Sequence, residues 1–112
     1  MPWYWCYLVN NSPTFVKVVV ISQFGQGTYY IFPGQGQWVQ WYQGQKVMTI
    51  FDGNSGVYLY SYPFYVSGPG QYNVYSNTPP APPGGGTMPL VWGVQHSAPT
   101  AAPPTAGAGA SH

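Results

Sequence analysis

Few side chains in this sequence could carry out acid–base, nucleophilic or metal chemistry. The ionic, thiol and imidazole groups are limited to Cys6, Lys17, Lys46, Asp52, His96 and His112. Catalysis by paired carboxylates needs two of them, and Asp52 is alone. A nucleophile would have to reach His96 beyond a Pro/Gly-rich segment, and one cysteine with two histidines cannot complete a zinc site. The sequence therefore predicts no enzyme, no catalytic residues, no cofactor and no metal ion.

The polar turn residues are better explained by backbone geometry than by ligand binding. Asp52 begins the segment 52–56, where its carboxylate can accept hydrogen bonds from the backbone of its own turn. The Gly-Gln-Gly segments at 25–27 and 34–36 do not continue into a phosphate-binding motif, and Pro33-Gly34 fits the centre of a type II turn. Cys6 is expected to be a small buried hydrophobe, with an intermolecular disulfide or a reactive thiol as the alternative.

The chemistry that this sequence has in abundance is that of aromatic rings and neutral amides. Aromatic residues make up 19% of the chain and charged residues 3%, against roughly 25% charged residues in ordinary soluble domains. A compact part of about 75 residues cannot bury all of its large rings, so some are expected at the surface. Rings flanked by amides suit the centre of a protein interface, and they also suit stacking on sugar rings.

Two segments supply the candidate contact rings for assembly or glycan binding. In a strand over Gln37–Gln43, both faces would mix rings with amides and neither would carry a charge. In 57–62, alternation predicts that Val57, Leu59 and Ser61 point inward, with a tyrosine stripe on the opposite face. The candidate rings are Trp38, Trp41, Tyr42, Tyr58, Tyr60 and Tyr62.

Short strands must position these rings, because segments of high β-propensity recur about every ten residues between Gly, Pro and Asn turns. Strands are predicted at 3–9, 14–23, 28–32, 37–43, 46–51, 57–62 and 72–76. The strand at 14–23 is apolar on both faces, which favours a central strand covered on both sides. Gly44-Gln45 is expected to allow a tight hairpin. The predicted fold class is all-β: a small antiparallel β-sandwich, Ig-like or barrel-like, of about seven short strands with a Pro/Gly/Ala-rich C-terminal extension.

The composition changes after residue 76. Residues 1–76 are predicted to form the sandwich, 77–87 a Pro/Gly linker, 88–95 an apolar strand segment and 96–112 a low-complexity tail that cannot order itself. The strand segment either completes its own sheet or docks on a neighbouring subunit through Leu90, Val91, Trp92 and Val94. Hydroxyl groups near prolines indicate possible glycosylation at Thr78, Thr87, Ser97, Thr100 and Thr105. Asn10-Asn11-Ser12 fits an N-glycosylation sequon, but Pro13 follows and a structural turn is favoured.

Charge and hydropathy narrow the possible partners. Two separated lysines cannot form a phosphate-binding stripe, which argues against nucleic acid, and no run approaches the roughly 20 apolar residues of a membrane span. The N-terminus does not resemble a signal peptide. A net charge of +1 favours association. The sequence therefore predicts a non-enzymatic structural subunit that polymerises with identical copies into a fibre, sheath or coat outside the cell or on a particle. The alternative is a carbohydrate-binding or adhesive module, with glycans as partners.

Overall fold

The computed structural model describes residues 3–76, 92–99 and 110–111, and these fold into β-strands joined by turns. The strands are β1 (Trp3–Asn10), β2 (Val16–Ser22), β3 (Gly25–Ile31), β4 (Gly36–Tyr42), β5 (Gly44–Asp52), β6 (Tyr58–Val66), β7 (Gly70–Ser76), β8 (Trp92–Ser97) and β9 (Ala110–Ser111). The first seven lie close to the segments predicted from β-propensity and turn residues. The described ranges contain no helix, and hence none that is long and apolar enough to cross a membrane.

Two sheets pack face to face, which confirms the all-β sandwich. Sheet A has the order β8-β7-β1-β4-β9, and sheet B has the order β3-β2-β5-β6. The prediction of an antiparallel sandwich holds for most pairs, but β1 pairs with β7 in parallel and β4 pairs with β9 in parallel. The β9 pairing lies within the predicted low-complexity tail, and it joins Ala110 and Ser111 to the edge of β4 beside Val39 and Gln40.

The chain changes sheets at several turns, and one of these was predicted wrongly. Gly44 was expected to allow a hairpin, yet β4 belongs to sheet A and β5 belongs to sheet B. Gly44 has φ +143°, a conformation that side chains disfavour, so the chain can turn sharply from one sheet to the other. The turn at Pro33-Gly34 forms as predicted: Gly34 has φ +76°, and the Gln35 N–H donates to the Phe32 carbonyl at 3.1 Å.

The core lies between the sheets and is filled by alternate residues of the facing strands. Sheet A contributes Cys6, Leu8, Val39, Trp41, Tyr72 and Val74, and sheet B contributes Val16, Val18, Val20, Tyr29, Ile31, Met48, Ile50, Phe64 and Val66. Cys6 is fully buried, as expected, and burial raises the pKa of its thiol to about 11. The clean alternation is what a sheet with one covered face requires.

The outward face of β2 corrects a second expectation. This strand is central in sheet B, but its valines at 16, 18 and 20 face the core while Lys17 and Ile21 face outward. Ile21 is 47% exposed while Val19 on the same side is 8% exposed, so the outward side is open at Ile21 but not along its whole length. An apolar outward position in a two-layer fold leaves apolar surface open to water.

Lys46 is the one lysine that the fold buries. It occupies an inward position of β5 in line with Met48 and Ile50, and it is only 2% exposed. Burial lowers the pKa of its ammonium group, because desolvation disfavours the charged form, while the nearby Cys6 acts in the opposite sense. With Lys46 buried, the surface of the described residues carries even less charge than the composition indicates.

Candidate functional site

The outer side of sheet B, called here the sheet B face, carries its side chains in three cross-strand rows. The first is an aromatic row around a single lysine: Tyr30, Lys17, Phe51 and Tyr58. The second is mostly hydroxyl-bearing: Thr28, Val19, Thr49 and Ser61. The third is mostly apolar: Gln26, Ile21, Val47 and Pro63. Residues directly opposite one another in a sheet interact, so each row forms a continuous strip.

Lys17 contributes the only charge in these three rows, and aromatic rings flank it. Its Nζ lies 5.3 Å from the centroid of the Phe51 ring and 6.0 Å from that of Tyr30. These distances suit cation–π contacts, which hold an ammonium group against ring faces. Phe15 extends the strip, stacking on Tyr30 at 6.1 Å and on Phe32 at 4.6 Å. The hydroxyls of Thr49 and Ser61 are 3.3 Å apart in the second row.

The outer side of sheet A, called here the sheet A face, carries a second aromatic cluster. The ring of Trp3 packs edge-on against that of Tyr42, with 4.4 Å between the ring centroids. The centroid of the Trp38 ring lies 4.7 Å from that of Tyr7 and 6.4 Å from that of Trp5. At the β1 start of this face is a pocket of about 270 Å³ lined by Trp3, Tyr4, Trp5, Trp38, Pro69 and Pro99. None of these lining residues is charged.

Buried amides border the aromatic cluster on the β7 side. Gln71 Nε2 donates to Asn73 Oδ1 at 2.8 Å, and Asn11 Nδ2 donates to the same oxygen at 2.9 Å. Asn73 Nδ2 in turn donates to the Gln95 carbonyl at 3.1 Å and to Ser97 Oγ at 3.3 Å. These contacts fix the amides in place, because a buried polar group left unpaired costs roughly 1–3 kcal/mol.

The six rings predicted as contact residues do not share one surface. Trp38 and Tyr42 lie on the sheet A face, and Tyr58 lies on the sheet B face with 56% exposure. The other three point between the sheets: Trp41 is fully buried, and Tyr60 and Tyr62 pack against the core. The structure therefore divides the predicted set among three regions of the domain.

A bulge in β6 explains why the tyrosine stripe divides. Ile50 pairs with Tyr60 but Phe51 pairs with Tyr58, so Leu59 is an extra residue in the ladder. The predicted facing of this segment was wrong: Tyr60 and Tyr62 face the core, while Val57 and Ser61 are exposed. Only Leu59 of the three expected inward residues packs against the core. Period two alone predicts one face for the whole strand, and an inserted residue reverses the pattern beyond it.

Tyr60 ties the two sheets together. Its hydroxyl lies 2.6 Å from the Tyr75 carbonyl and 2.8 Å from the Gly93 carbonyl, so β6 of sheet B is held to β7 and β8 of sheet A. Burial raises the pKa of Tyr60 to about 12, against the two backbone contacts, which act to lower it. Burial raises the pKa of Tyr29 and of Tyr72 as well.

These buried phenols predict a loss of stability in alkali. A folded-state pKa above the unfolded value means that the folded chain holds more protons, so the free energy of unfolding falls as pH rises above about 10. The lowered pKa of Lys46 acts the other way, but this single ammonium group is outweighed by the raised pKa values of three phenols and the Cys6 thiol. Denaturant unfolding at a series of pH values measures the slope. Tyr60→Phe should flatten it above pH 10 relative to the exposed control Tyr58→Phe, and equal slopes in the two variants would contradict the assignment.

Residues 92–95 of the predicted docking segment pair with a strand of their own chain. The strand begins at Trp92 and extends to Ser97, two residues into the predicted tail, and it pairs antiparallel with β7 from Ser76 to Gln71. Val94 pairs with Val74 and packs against the core. Leu90 and Val91 lie outside the described residues.

Of the possible glycosylation positions, Ser97 and the sequon asparagine Asn10 lie within the described residues. Ser97 is exposed at the end of β8, with its hydroxyl 3.3 Å from Asn73 Nδ2. Thr78, Thr87, Thr100 and Thr105 lie outside the described residues. In the sequon at Asn10, the side chain is fully buried and its Nδ2 donates to the carbonyls of Thr14 and Ile31, at 2.8 and 2.9 Å. The favoured turn is what forms there.

Sequence reasoning missed the exposed apolar side chains on the outer side of sheet B. Ile21, Tyr30, Val47 and Tyr65 are all exposed on that side, and none was among the candidates. The signal was present, since Lys17-Val18-Val19-Val20-Ile21 offers two apolar faces and only one can meet the core of a two-layer sandwich. Trp3 and Trp5 were likewise assigned to a strand without being identified as surface rings.

The remaining side chains that could take part in catalysis or metal binding make structural contacts instead. Asp52 Oδ1 accepts hydrogen bonds from the backbone N–H groups of Ser55 and Asn54 at 2.9 and 2.8 Å, and these bonds lower the pKa of its carboxyl group. His96 stacks on Tyr72 at 4.5 Å. Within the described ranges, no group of three or more His, Cys, Asp or Glu side chains is placed to hold a metal ion. Comparisons with protein-family models, curated proteins and solved structures found no match for this chain.

Proposed function

We propose that this chain is a non-enzymatic structural subunit that assembles with identical copies into a fibre, sheath or coat. The observation that carries the proposal is the sheet B face. Five of its large apolar side chains are 37–57% exposed: Ile21, Tyr30, Val47, Tyr58 and Tyr65. Because an aromatic side chain carries roughly 150–250 Å², the three half-exposed tyrosines alone present on the order of 300 Å². The largest apolar patch on a soluble monomer is commonly of about this size and is often functional.

The charge distribution supports self-association through this face. The chain has a formal net charge of +1, so copies repel one another little. Lys17, the one charge in the three rows, is already flanked by Phe51 and Tyr30, and these ring contacts would offset part of the cost of desolvating its ammonium group when a second copy covers the face. Aromatic enrichment and charge depletion are the features of an interface centre.

The edges of sheet B favour growth beyond a dimer. β3 and β6 are its outer strands, and neither contains a lysine or another charged residue that would discourage pairing with a second chain. Pro63 has no backbone N–H and so interrupts the row of hydrogen-bond donors along β6, which leaves β3 as the edge less protected against pairing with another chain. A stable interface buries about 800 Å² on each partner, so the sheet B face is expected to act together with a further contact.

The cellular location of the assembly and its glycosylation stay predictions. An extracellular, cell-surface or particle-surface location suits a neutral, aromatic-rich subunit, and glycosylation near the prolines would fit that location. Docking of 88–95 on a neighbouring subunit would reuse the β7 edge that β8 occupies in its own chain, as in domain swapping. The finer assignment of the sandwich as Ig-like or barrel-like also stays a prediction.

Introducing a charge on the sheet B face should disrupt assembly. Ile21→Lys places an ammonium group beside Val47, and we expect it to raise the concentration needed for assembly at least about tenfold, because that group would be desolvated in the contact. The fold should persist, since Ile21 is 47% exposed. Sedimentation velocity and electron microscopy of the full chain provide the measurement.

Gln35→Lys is the matched control for this substitution. It adds the same charge at an exposed position in the turn after β3, away from the three rows. The control should assemble like the unmodified chain. Equal assembly by both variants, or an unmodified chain that stays monomeric at high concentration, would contradict the proposal.

The alternative, a carbohydrate-binding or adhesive module, has one supporting observation. The pocket on the sheet A face brings Trp3, Trp5 and Trp38 together, although the six rings first proposed as a platform are divided among three regions. Glycan binding by the monomer that is lost on Trp38→Ala, with the fold intact, would favour this function.

A further inference from the structure

The pocket on the sheet A face combines tryptophan with proline. Pro69 lies just before β7 and Pro99 just after β8, and both line the pocket with Trp3, Trp5 and Trp38. Two prolines from separate segments therefore already lie beside the indole rings. Space of about 270 Å³ remains within the pocket, enough for further small rings.

Aromatic-lined grooves of this kind recognise polyproline II segments. Such a segment is already extended before binding, so ordering it costs little entropy, and its rings pack against aromatic faces. Its carbonyl groups have no internal partners and can accept hydrogen bonds, for which an indole N–H is a donor without an acceptor role. The lining includes no charged side chain, and it therefore suits a neutral proline-rich ligand better than a charged peptide.

This chain contains a matching ligand. Residues 79–83 are Pro79-Pro80-Ala81-Pro82-Pro83, which contains two overlapping Pro-x-x-Pro motifs. We propose that the pocket lined by Trp3, Trp5 and Trp38 binds residues 79–83 of a second copy of the chain. The inference rests on the proposed self-assembly and supplies the further contact that the sheet B face requires.

The topology favours a second copy over the same chain. The pocket lies beside the start of β7, whereas residue 79 follows three positions after Ser76, where β7 ends. β1 pairs with β7 in parallel with Cys6 opposite Gly70, so Trp5 and Trp3 lie beyond the start of β7, about 23–30 Å from Ser76 at roughly 3.3 Å per residue. Even Pro83, the last residue of the run, would reach at most about 22 Å from Ser76 at roughly 3.1 Å per residue. A copy's own run therefore cannot lie across its own pocket.

A contact of this type propagates. Each copy offers a pocket beside the start of β7 and, in the sequence that follows β7, a proline run, so the two surfaces in contact are different. Such heterologous contacts give open filaments unless the rotation between copies closes a ring. The further contact would therefore extend the assembly in one direction.

A peptide titration tests the pocket independently of assembly. A peptide of residues 78–83 is added to the full chain carrying Ile21→Lys and alanine at the four prolines of 79–83, so that the pocket is not occupied by another copy, and the indole N–H resonances are followed by NMR. We expect the Trp3, Trp5 and Trp38 signals to shift while the buried Trp41 signal does not. Trp38→Gln should weaken binding at least about tenfold, with the rest of the spectrum retained as evidence of folding. An alanine-substituted peptide should not bind.

A mixing experiment tests the second copy. One variant carries Trp38→Gln, the other has alanine at the four prolines of 79–83, and both carry Ile21→Lys. Each alone should be monomeric, and an equimolar mixture should form dimers and nothing larger, because only one pocket and one run remain complementary. Sedimentation velocity gives the masses.

The outcomes separate this inference from the proposed function. Three results would overturn the pocket assignment, even if the unmodified chain polymerises. They are no indole shifts on adding the proline peptide, equal binding of the alanine-substituted peptide, or indole shifts on adding an oligosaccharide but not on adding the proline peptide. Peptide binding without mixed dimers would overturn the second copy as occupant. Mixed dimers would support the inference even if Ile21→Lys alone left assembly unchanged and so counted against the sheet B face.

Discussion

Replacing Trp41 with alanine is expected to destabilise the domain by about 3–5 kcal/mol, the range for removing a large buried ring. Trp41 is fully buried, and its ring lies 5.3 Å from Phe64 and 5.2 Å from Tyr72. Phe64 comes from sheet B, so the truncation would leave a cavity where the sheets meet. A domain of this size is stable by roughly 5–10 kcal/mol, so the variant should be close to unfolding.

Equilibrium unfolding in denaturant measures this loss, and two further variants keep it interpretable if Trp41→Ala does not fold. Trp41→Phe retains a ring and should cost less, on the order of 1–3 kcal/mol. Trp3→Ala removes the same side chain from the sheet A face, where it is 45% exposed, and should cost about 1 kcal/mol. Equal losses at positions 3 and 41 would show that Trp41 does not anchor the core.

Replacing Asn10 with alanine should cost roughly 2–4 kcal/mol, because several buried polar groups lose their partners at once. The Asn10 amide donates to the Thr14 and Ile31 carbonyls, and its Oδ1 accepts from Ser12 N–H at 2.9 Å and Ser12 Oγ at 2.6 Å. Ile31 ends β3 of sheet B while Asn10 ends β1 of sheet A, so one side chain joins the two sheets at this end of the sandwich.

The neighbouring Asn11 provides the control for this prediction. Asn11 is exposed, and its Nδ2 makes one side-chain contact, to Asn73 Oδ1 at 2.9 Å, so Asn11→Ala should cost about 1 kcal/mol or less. Asn10→Asp tests the donors separately, since a carboxylate can accept from Ser12 but cannot donate to the two carbonyls. Thermal unfolding of the three variants gives the comparison. A small, equal effect at positions 10 and 11 would refute the role of Asn10.

The candidate surfaces were predictable in kind but not in position. A surplus of rings over core volume follows from composition, and the structure leaves Trp3, Tyr30, Tyr58 and Tyr65 about half exposed. Which rings are outside depends on pairing: the extra residue at Leu59 sends Tyr58 outward and Tyr60 inward. The proline–tryptophan pocket joins residues from positions 3 to 99, a combination that no local pattern specifies.

The sequence by itself determined approximately where the first seven strands lie, because β-propensity, period two and turn residues such as Pro33-Gly34 act over a few neighbouring residues. The tertiary structure alone decided which sheet each strand joins, since β4 and β5 separate at Gly44 and β1 pairs in parallel with the distant β7. It also decided that Lys46 is buried while Ile21 is exposed. These outcomes depend on which faces of distant segments meet, and packing between the sheets sets that choice at the level of the whole domain.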